Sequence, residues 1–140
     1  MVQEVHRDAI IEIKLLTDRE MLLLADPNLM EMAFMNLIEN GAKYSNPPAH
    51  ITITMDRDDK NITISVADKG IGIPDADQEN IFQRFYTVNK ARSRKLGGSG
   101  LGLSIVETVI EKHQGTISVK SQLNVGTTFT IVLPILSSES

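Results

Sequence analysis

Four short runs of this chain alternate apolar residues with threonine, serine or lysine: Ile51-Thr-Ile53-Thr-Met55, Ile62-Thr-Ile64-Ser-Val66, Thr116-Ile-Ser-Val-Lys120 and Thr128-Phe-Thr-Ile-Val-Leu133. Successive side chains of a strand point to opposite faces, so each run makes a strand with one buried and one wet face. That pattern belongs to an antiparallel sheet covered on one side only. Asp56-Arg-Asp-Asp-Lys-Asn61 separates the first two runs as a polar turn and predicts a hairpin. Ile10–Leu15 and Met21–Leu24 read as two more short strands around the turn Thr17-Asp18-Arg19-Glu20.

The covering layer comes from two helical segments. Asp26-Pro27 starts the first, with aspartate as N-cap and proline at the first helical position. It should run to about Tyr44, ahead of Ser-Asn-Pro-Pro. The second is Leu101–His113, bearing Leu101, Ile105, Val106, Val109 and Ile110, with Gly115 just beyond its end. The expected fold is α/β: a two-layer sandwich of a mixed, mainly antiparallel sheet with helices on one face. A length of 140 residues with 41% hydrophobic content fills one core. We read residues 1–140 as one domain with a core of about 10–134. Because the chain opens almost directly into a strand, we expect it to be a piece of a longer protein.

Composition narrows the function. No apolar run approaches the length of about 18 residues that spans a bilayer, and Met-Val-Gln-Glu-Val-His-Arg-Asp is too polar for a signal peptide. The absence of cysteine excludes disulfides, thiolate catalysis and zinc clusters, and fits a reducing cytoplasm. A net charge of −4 argues against general nucleic-acid binding. Tyr86–Gly100 nevertheless holds Lys90, Arg92, Arg94 and Lys95 and no acid. A basic loop ending in glycines within an acidic domain fits a small anionic ligand, although a solvated loop would look the same.

Asn36-Leu-Ile-Glu-Asn40-Gly-Ala-Lys43-Tyr44-Ser45 carries the densest chemistry. At 100° per residue, Asn36, Asn40 and Lys43 fall within an arc of about 60°. Amide oxygens beside an ammonium suit a magnesium–phosphate group, although polar residues on a helix surface can share this spacing. Two glycine stretches follow. Asp68-Lys-Gly70-Ile-Gly72-Ile73-Pro74 leaves the end of a strand, where glycines let the backbone approach a ligand and Asp68 offers a carboxylate; a plain strand-to-loop turn is the simpler alternative. Gly97-Gly98-Ser99-Gly100-Leu101-Gly102 runs into a helix, whose first N–H groups form an anion site unless the stretch is only a hinge. No Gly-Lys-[Ser/Thr] follows, so this is not a P-loop, and Gly-x-Gly-x-x-Gly spacing is absent. His6-Arg-Asp8 resembles a protein-kinase catalytic loop only by coincidence, since Ile13 stands where that loop needs asparagine.

Taken together, Asn36–Ser45, Asp68–Pro74, Ile81-Phe82-Gln-Arg84-Phe85-Tyr86 and Gly98–Gly102 resemble, in order, the N box, first glycine box, F box and second glycine box of the catalytic ATP-binding domain of bacterial sensor histidine kinases. The resemblance runs from about Ile10 to Pro134. It implies the Bergerat-type sandwich shared with DNA gyrase and mismatch-repair ATPases, and ATP and Mg2+ as cofactors. It also implies roles. Asn40 would be the magnesium ligand, Asn36 its helper facing the phosphates, and Lys43 a phosphate contact. Tyr44 would line the sugar or base, and Asp68 would accept from the adenine amino group. Gly70, Gly72 and Ile73 would shape the base pocket. Gly98, Ser99, Gly100, Leu101 and Gly102 would meet the phosphates, and Arg84 would steady the γ-phosphate. Phe82, Phe85 and the basic segment to Leu96, which includes Lys95, would form a mobile lid over ATP.

Two absences refine the resemblance. Relatives that hydrolyse ATP carry glutamate four residues before the metal asparagine. Here that position is Asn36, which cannot take a proton, so transfer should prevail over hydrolysis. The family's phosphoacceptor is a histidine followed by an acid, yet His6, His50 and His113 precede Arg7, Ile51 and Gln114. The expected enzyme is therefore the kinase module of a two-component sensor. Its partners would be ATP, a separate dimerisation domain of the same protein carrying the histidine, and a downstream response regulator. We expect a cytoplasmic location, no nucleic acid and no membrane contact by this segment. A serine kinase of the anti-sigma-factor type and an ATP-dependent binding module without transfer are the alternatives.

Overall fold

The computed structural model describes residues 9–46, 48–84, 86 and 102–135. Their elements, in chain order, are β1 (Ile10–Leu15), α1 (Pro27–Lys43), β2 (His50–Arg57), β3 (Asn61–Asp68), α2 (Asp75–Gln78), α3 (Gly102–Lys112), β4 (Thr116–Gln122) and β5 (Gly126–Pro134). The strands form one sheet in the order β1-β2-β3-β5-β4. β1 pairs parallel with β2, and the other three pairings are antiparallel. The mixed, mainly antiparallel sheet expected from the alternating runs is the one observed.

One strand expectation is corrected. Met21–Leu24 is not a strand but extended chain leading into α1. Parallel neighbours need a crossover, and the segment between β1 and β2 supplies it through this stretch and α1. Met21 and Leu23 pack against the core, whereas Leu22 and Leu24 face outward. The apolar alternation is thus real, but no strand lies beside it to complete a ladder. The short helix α2 was not foreseen, and β2 and β3 each extend beyond their apolar runs.

The core lies between the inner face of the sheet and the two long helices. Ala33 and Leu37 of α1, Val106, Val109 and Ile110 of α3, and Ile51, Ile62, Ile64, Val66, Phe129, Ile131 and Leu133 of the strands form its buried centre. Phe82 meets Phe129 edge-on, with ring centroids 6.1 Å apart, and ties the F-box turn to this core. Asp26 caps α1 by accepting from the N–H groups of Asn28 at 2.9 Å and Leu29 at 3.2 Å. Its side chain is exposed, so Asp26→Ala should cost about 1 kcal/mol of stability, readable as a lower urea midpoint.

α1 and α3 run antiparallel and are joined at one end. His113, just past α3, accepts the Asp26 N–H on Nε2 at 3.0 Å, while its Nδ1 lies 2.8 Å from the Val109 carbonyl. Gly115 follows α3 as expected, but Gln114 adopts the left-handed turn, with φ 62°. Gly115 is required by packing instead. A Cβ there would lie 2.6 Å from both Leu133 Cδ2 and the Val132 carbonyl oxygen.

Candidate functional site

The helix box, the first glycine box and the β4–β5 hairpin converge at one end of the sheet. Period-two phasing puts Asp68 on the inner face with Ile64 and Val66, opposite Thr127 of β5. Asp68 lies beneath the last turn of α1. A Cβ at Gly41 would come 3.3 Å from Asp68 Cβ and 3.4 Å from its Oδ2, so glycine there lets helix and carboxylate approach. Asp68 Oδ1 accepts the Gly70 N–H at 2.8 Å, and the carboxylate also accepts from the Thr127 N–H. Burial pushes the Asp68 carboxyl above the usual carboxylate range, and those two backbone bonds only partly offset the effect.

The glycines of this box serve close approach. A Cβ on Gly70 would lie 2.6 Å from the Tyr44 carbonyl oxygen and 2.8 Å from Ser45 Oγ. Gly72 has φ 78° and presses against the Gln122 carbonyl, while Gly126, with φ 147°, presses against that of Asp68. The Ile71 N–H donates to the Tyr44 carbonyl at 3.0 Å, and the Ile73 N–H donates to Ser121 Oγ at 2.7 Å. Helix end, glycine loop and hairpin are therefore one bonded assembly holding Asp68, Gly70, Gly72, Ile73 and Tyr44 together.

Asn36, Asn40 and Lys43 are half-buried along the edge of α1, beside the buried stripe Ala33, Leu37 and Gly41 rather than deep within it. Among the described residues, neither asparagine side chain has a hydrogen-bond partner. Gly102, the first residue of α3, faces Asn36: a Cβ there would lie 3.6 Å from Asn36 Oδ1. The start of α3 thus opens beside the asparagine edge of α1, and the first N–H groups of a helix are the ones that point toward an anion. Arg84 is exposed at the end of the turn that follows α2, and the Tyr86 hydroxyl donates to Asp77, tying the F box back to α2. Phe85, Lys95, Gly98, Ser99, Gly100 and Leu101 lie outside the described residues, as does the basic segment Lys90–Lys95.

Sequence reasoning missed three polar residues of this assembly. Ser45 is buried and donates to the Gly41 carbonyl at 2.6 Å. Thr127 is buried, and Ser121 lies opposite it on β4. The signal was available: carrying the phase of Val66, Phe129 and Val119 two residues toward the site lands on Asp68, Thr127 and Ser121.

No helix among the described residues is long and apolar enough to cross a membrane. Residues 25–137 match the family model described as histidine kinase-, DNA gyrase B- and HSP90-like ATPase. The sensor-like histidine kinase SenX3 of Mycobacterium tuberculosis is 44% identical over 129 residues, covering 92% of this chain and 32% of that protein. The sensor histidine kinase WalK of Bacillus subtilis is 41% identical over 136 residues, covering 96% and 22%. The chain spans about a third or less of these relatives' lengths. Among solved structures, a mycobacterial sensor histidine kinase, MprB, superposes with a TM-score of 0.82 at 29% identity, covering 96% of this chain and 88% of that one. With the family model matched over most of its length and the fold shared with a kinase of known structure, this chain belongs to the histidine kinase-, DNA gyrase B- and HSP90-like ATPase family.

Proposed function

We propose that the chain is the ATP-binding catalytic module of a sensor histidine kinase, transferring the γ-phosphoryl group of ATP to a histidine on a separate dimerisation domain. A response regulator would then take the phosphoryl group. We place the module on the cytoplasmic side, where ATP is found. The observation that carries this proposal is the meeting of two different recognition surfaces at one sheet end. A half-buried carboxylate lies on its floor, and amides without hydrogen-bond partners among the described residues line the helix edge above.

Asp68 accepts from the adenine amino group, with Ile73 and Tyr44 around the base. Guanine presents a carbonyl oxygen at that place and is repelled. Asn36, Asn40 and Lys43 face the phosphates together with Gly102, and we extend the phosphate site to Gly98, Ser99, Gly100 and Leu101, with Arg84, Phe85 and Lys95 over it. The amide oxygens of Asn36 and Asn40 fit magnesium: they are neutral, hard donors on one helix edge without other partners among the described residues. Asn40 would hold the ion and Asn36 would support it. Magnesium supplies charge neutralisation between phosphate oxygens. Among the described residues no group of three His, Cys, Asp or Glu assembles that could hold a metal, so the ion depends on the nucleotide.

The protein's own groups favour transfer over hydrolysis. Asn36 stands where a water-activating glutamate would be needed, and an amide cannot take a proton. Neither described histidine suits the acceptor role. Both ring nitrogens of His113 are engaged, and His50 opens a strand without a following acid. Calorimetry tests the binding half of the proposal. Mg-ATP should bind and GTP should bind far more weakly, while magnesium alone should give little heat. Equal affinity for ATP and GTP, or tight magnesium binding without nucleotide, would contradict it.

A further inference from the structure

The inner face of the sheet changes character at a definite row. Val66, Phe129 and Val119 stand side by side on β3, β5 and β4, and the next row toward the site is Asp68, Thr127 and Ser121. Ser121 does not sit in the part of the site assigned to the nucleotide, yet its hydroxyl meets polar groups of the glycine loop and of its own hairpin. Ser121 Oγ accepts the Ile73 N–H at 2.7 Å, lies 3.0 Å from the Gly126 carbonyl oxygen and 2.8 Å from Thr127 Oγ1.

A hydroxyl offers one proton and two acceptor sites. The Ile73 N–H fills one acceptor site. If the Ser121 proton goes to the Gly126 carbonyl, Thr127 donates back to Ser121 and the group is saturated. If it goes to Thr127 instead, the Thr127 proton is freed to point elsewhere. Ser121 therefore decides whether the Thr127 hydroxyl beside Asp68 is a donor spent within the sheet or one available to a ligand. The carbonyl side of Ile73 is fixed independently: Gln78 Nε2 lies 3.0 Å from the Ile73 carbonyl oxygen and 3.1 Å from that of Ser121. Two residues along, the Ile71 carbonyl accepts the Asn124 N–H at 2.8 Å. The loop holding Ile73 is thus positioned from the hairpin and α2.

We propose that Ser121 is the positioning residue for the base end of the site, acting through the Ile73 backbone and the Thr127 hydroxyl without touching the nucleotide. This rests on the ATP-binding role proposed above. Removing the hydroxyl leaves the partly buried Ile73 N–H without its acceptor and Thr127 without its partner, while the asparagine edge and Gly102 are untouched. Base binding is weakened equally in the ground state and during transfer, which raises KM without lowering kcat.

The test is transfer from Mg-ATP to a supplied histidine-bearing dimerisation domain, using Ser121→Ala, Ser121→Thr and Gln78→Ala. Ser121→Ala should raise KM for ATP by about tenfold, with kcat at saturation within about twofold of the parent. Ser121→Thr keeps the hydroxyl and should restore KM to within about threefold. Gln78→Ala frees the carbonyl of the same residue and should move KM in the same direction by a smaller factor; it also carries the test if Ser121→Ala does not fold. A loss in kcat with unchanged KM, a threonine variant as impaired as the alanine one, or an unchanged KM in both Ser121→Ala and Gln78→Ala would overturn the proposal. A parent chain that binds no ATP by calorimetry would instead overturn the ATP-binding role itself, and the Ser121 proposal with it.

Discussion

Asn40→Ala is expected to silence phosphoryl transfer while leaving the domain folded. The side chain lies half-buried on the edge of α1, outside the stripe Ala33, Leu37 and Gly41 that packs on the sheet, so its removal opens no cavity in the core. Its amide oxygen has no other hydrogen-bond partner among the described residues. On the proposed ATP-binding role, what is lost is an oxygen that would meet the triphosphate and its ion at the helix. Loss of one preorganised electrostatic group costs about 10²–10³-fold in rate, and misplacement of the reacting phosphate adds to this. Transfer should therefore fall at least about 100-fold, with the urea midpoint and ATP's base contacts little changed. Asn40→Asp separates ligand from charge: it retains an oxygen for magnesium but sets a carboxylate against the phosphates, so activity should be intermediate. Wild-type transfer rates in Asn40→Ala would remove this residue from the catalytic role.

The second large effect belongs to Asp68. A hydrogen bond to a charged group contributes about 1.5–3 kcal/mol, so Asp68→Ala should weaken ATP binding by roughly 10–150-fold in calorimetry. The same carboxylate is a burden to the empty domain, because burial raises its folded-state pKa above the ordinary 3.8. The sign is that of a group protonated more readily when folded. Its contribution to stability is complete below the unfolded value and is lost as pH rises through the folded one. Asp68→Asn should therefore raise the urea midpoint at neutral pH, and this advantage should disappear below pH 3.8, where both states are protonated. Across the same interval, ATP affinity of the parent chain should fall as pH falls, because the neutral carboxyl is a weaker acceptor. An Asp68→Asn variant less stable than the parent at neutral pH would show that its bonds to Gly70 and Thr127 outweigh desolvation.

Most of the sheet and both long helices could be read from the chain because their signals are local. Alternation placed β2 to β5, and Asp26-Pro27 placed the start of α1. β1 itself was placed, but its pairing was not legible: a parallel neighbour lies across a crossover, and Ile10–Leu15 carries no mark of which strand it meets. Met21–Leu24 misled for the same reason, since an extended apolar segment looks alike with or without a neighbouring strand. Asn36, Asn40, Asp68 and the glycines were singled out as candidates by residue type and spacing, and the fold brings Asp68, Gly70 and Gly72 together at one sheet end and sets Gly102 against Asn36. Ser121 and Thr127 were not, because threonine and serine elsewhere in these strands occupy the outer face. Their inward position follows from the phase of the strand rather than from their chemistry. Gly115 shows the converse: it was read only as the residue just past the helix end, and it is required there by the nearness of Leu133 and Val132.

The division between a kinase module and a histidine elsewhere is tested most directly with γ-labelled ATP, this chain, and a dimerisation domain carrying a histidine followed by an acid. Label should pass to the added domain as acid-labile phosphohistidine, with no stoichiometric label on this chain and only slow release of phosphate when the chain is alone. Acid-stable phosphoserine on the product, stoichiometric labelling of His6, His50 or His113, or rapid hydrolysis by the chain alone would contradict it.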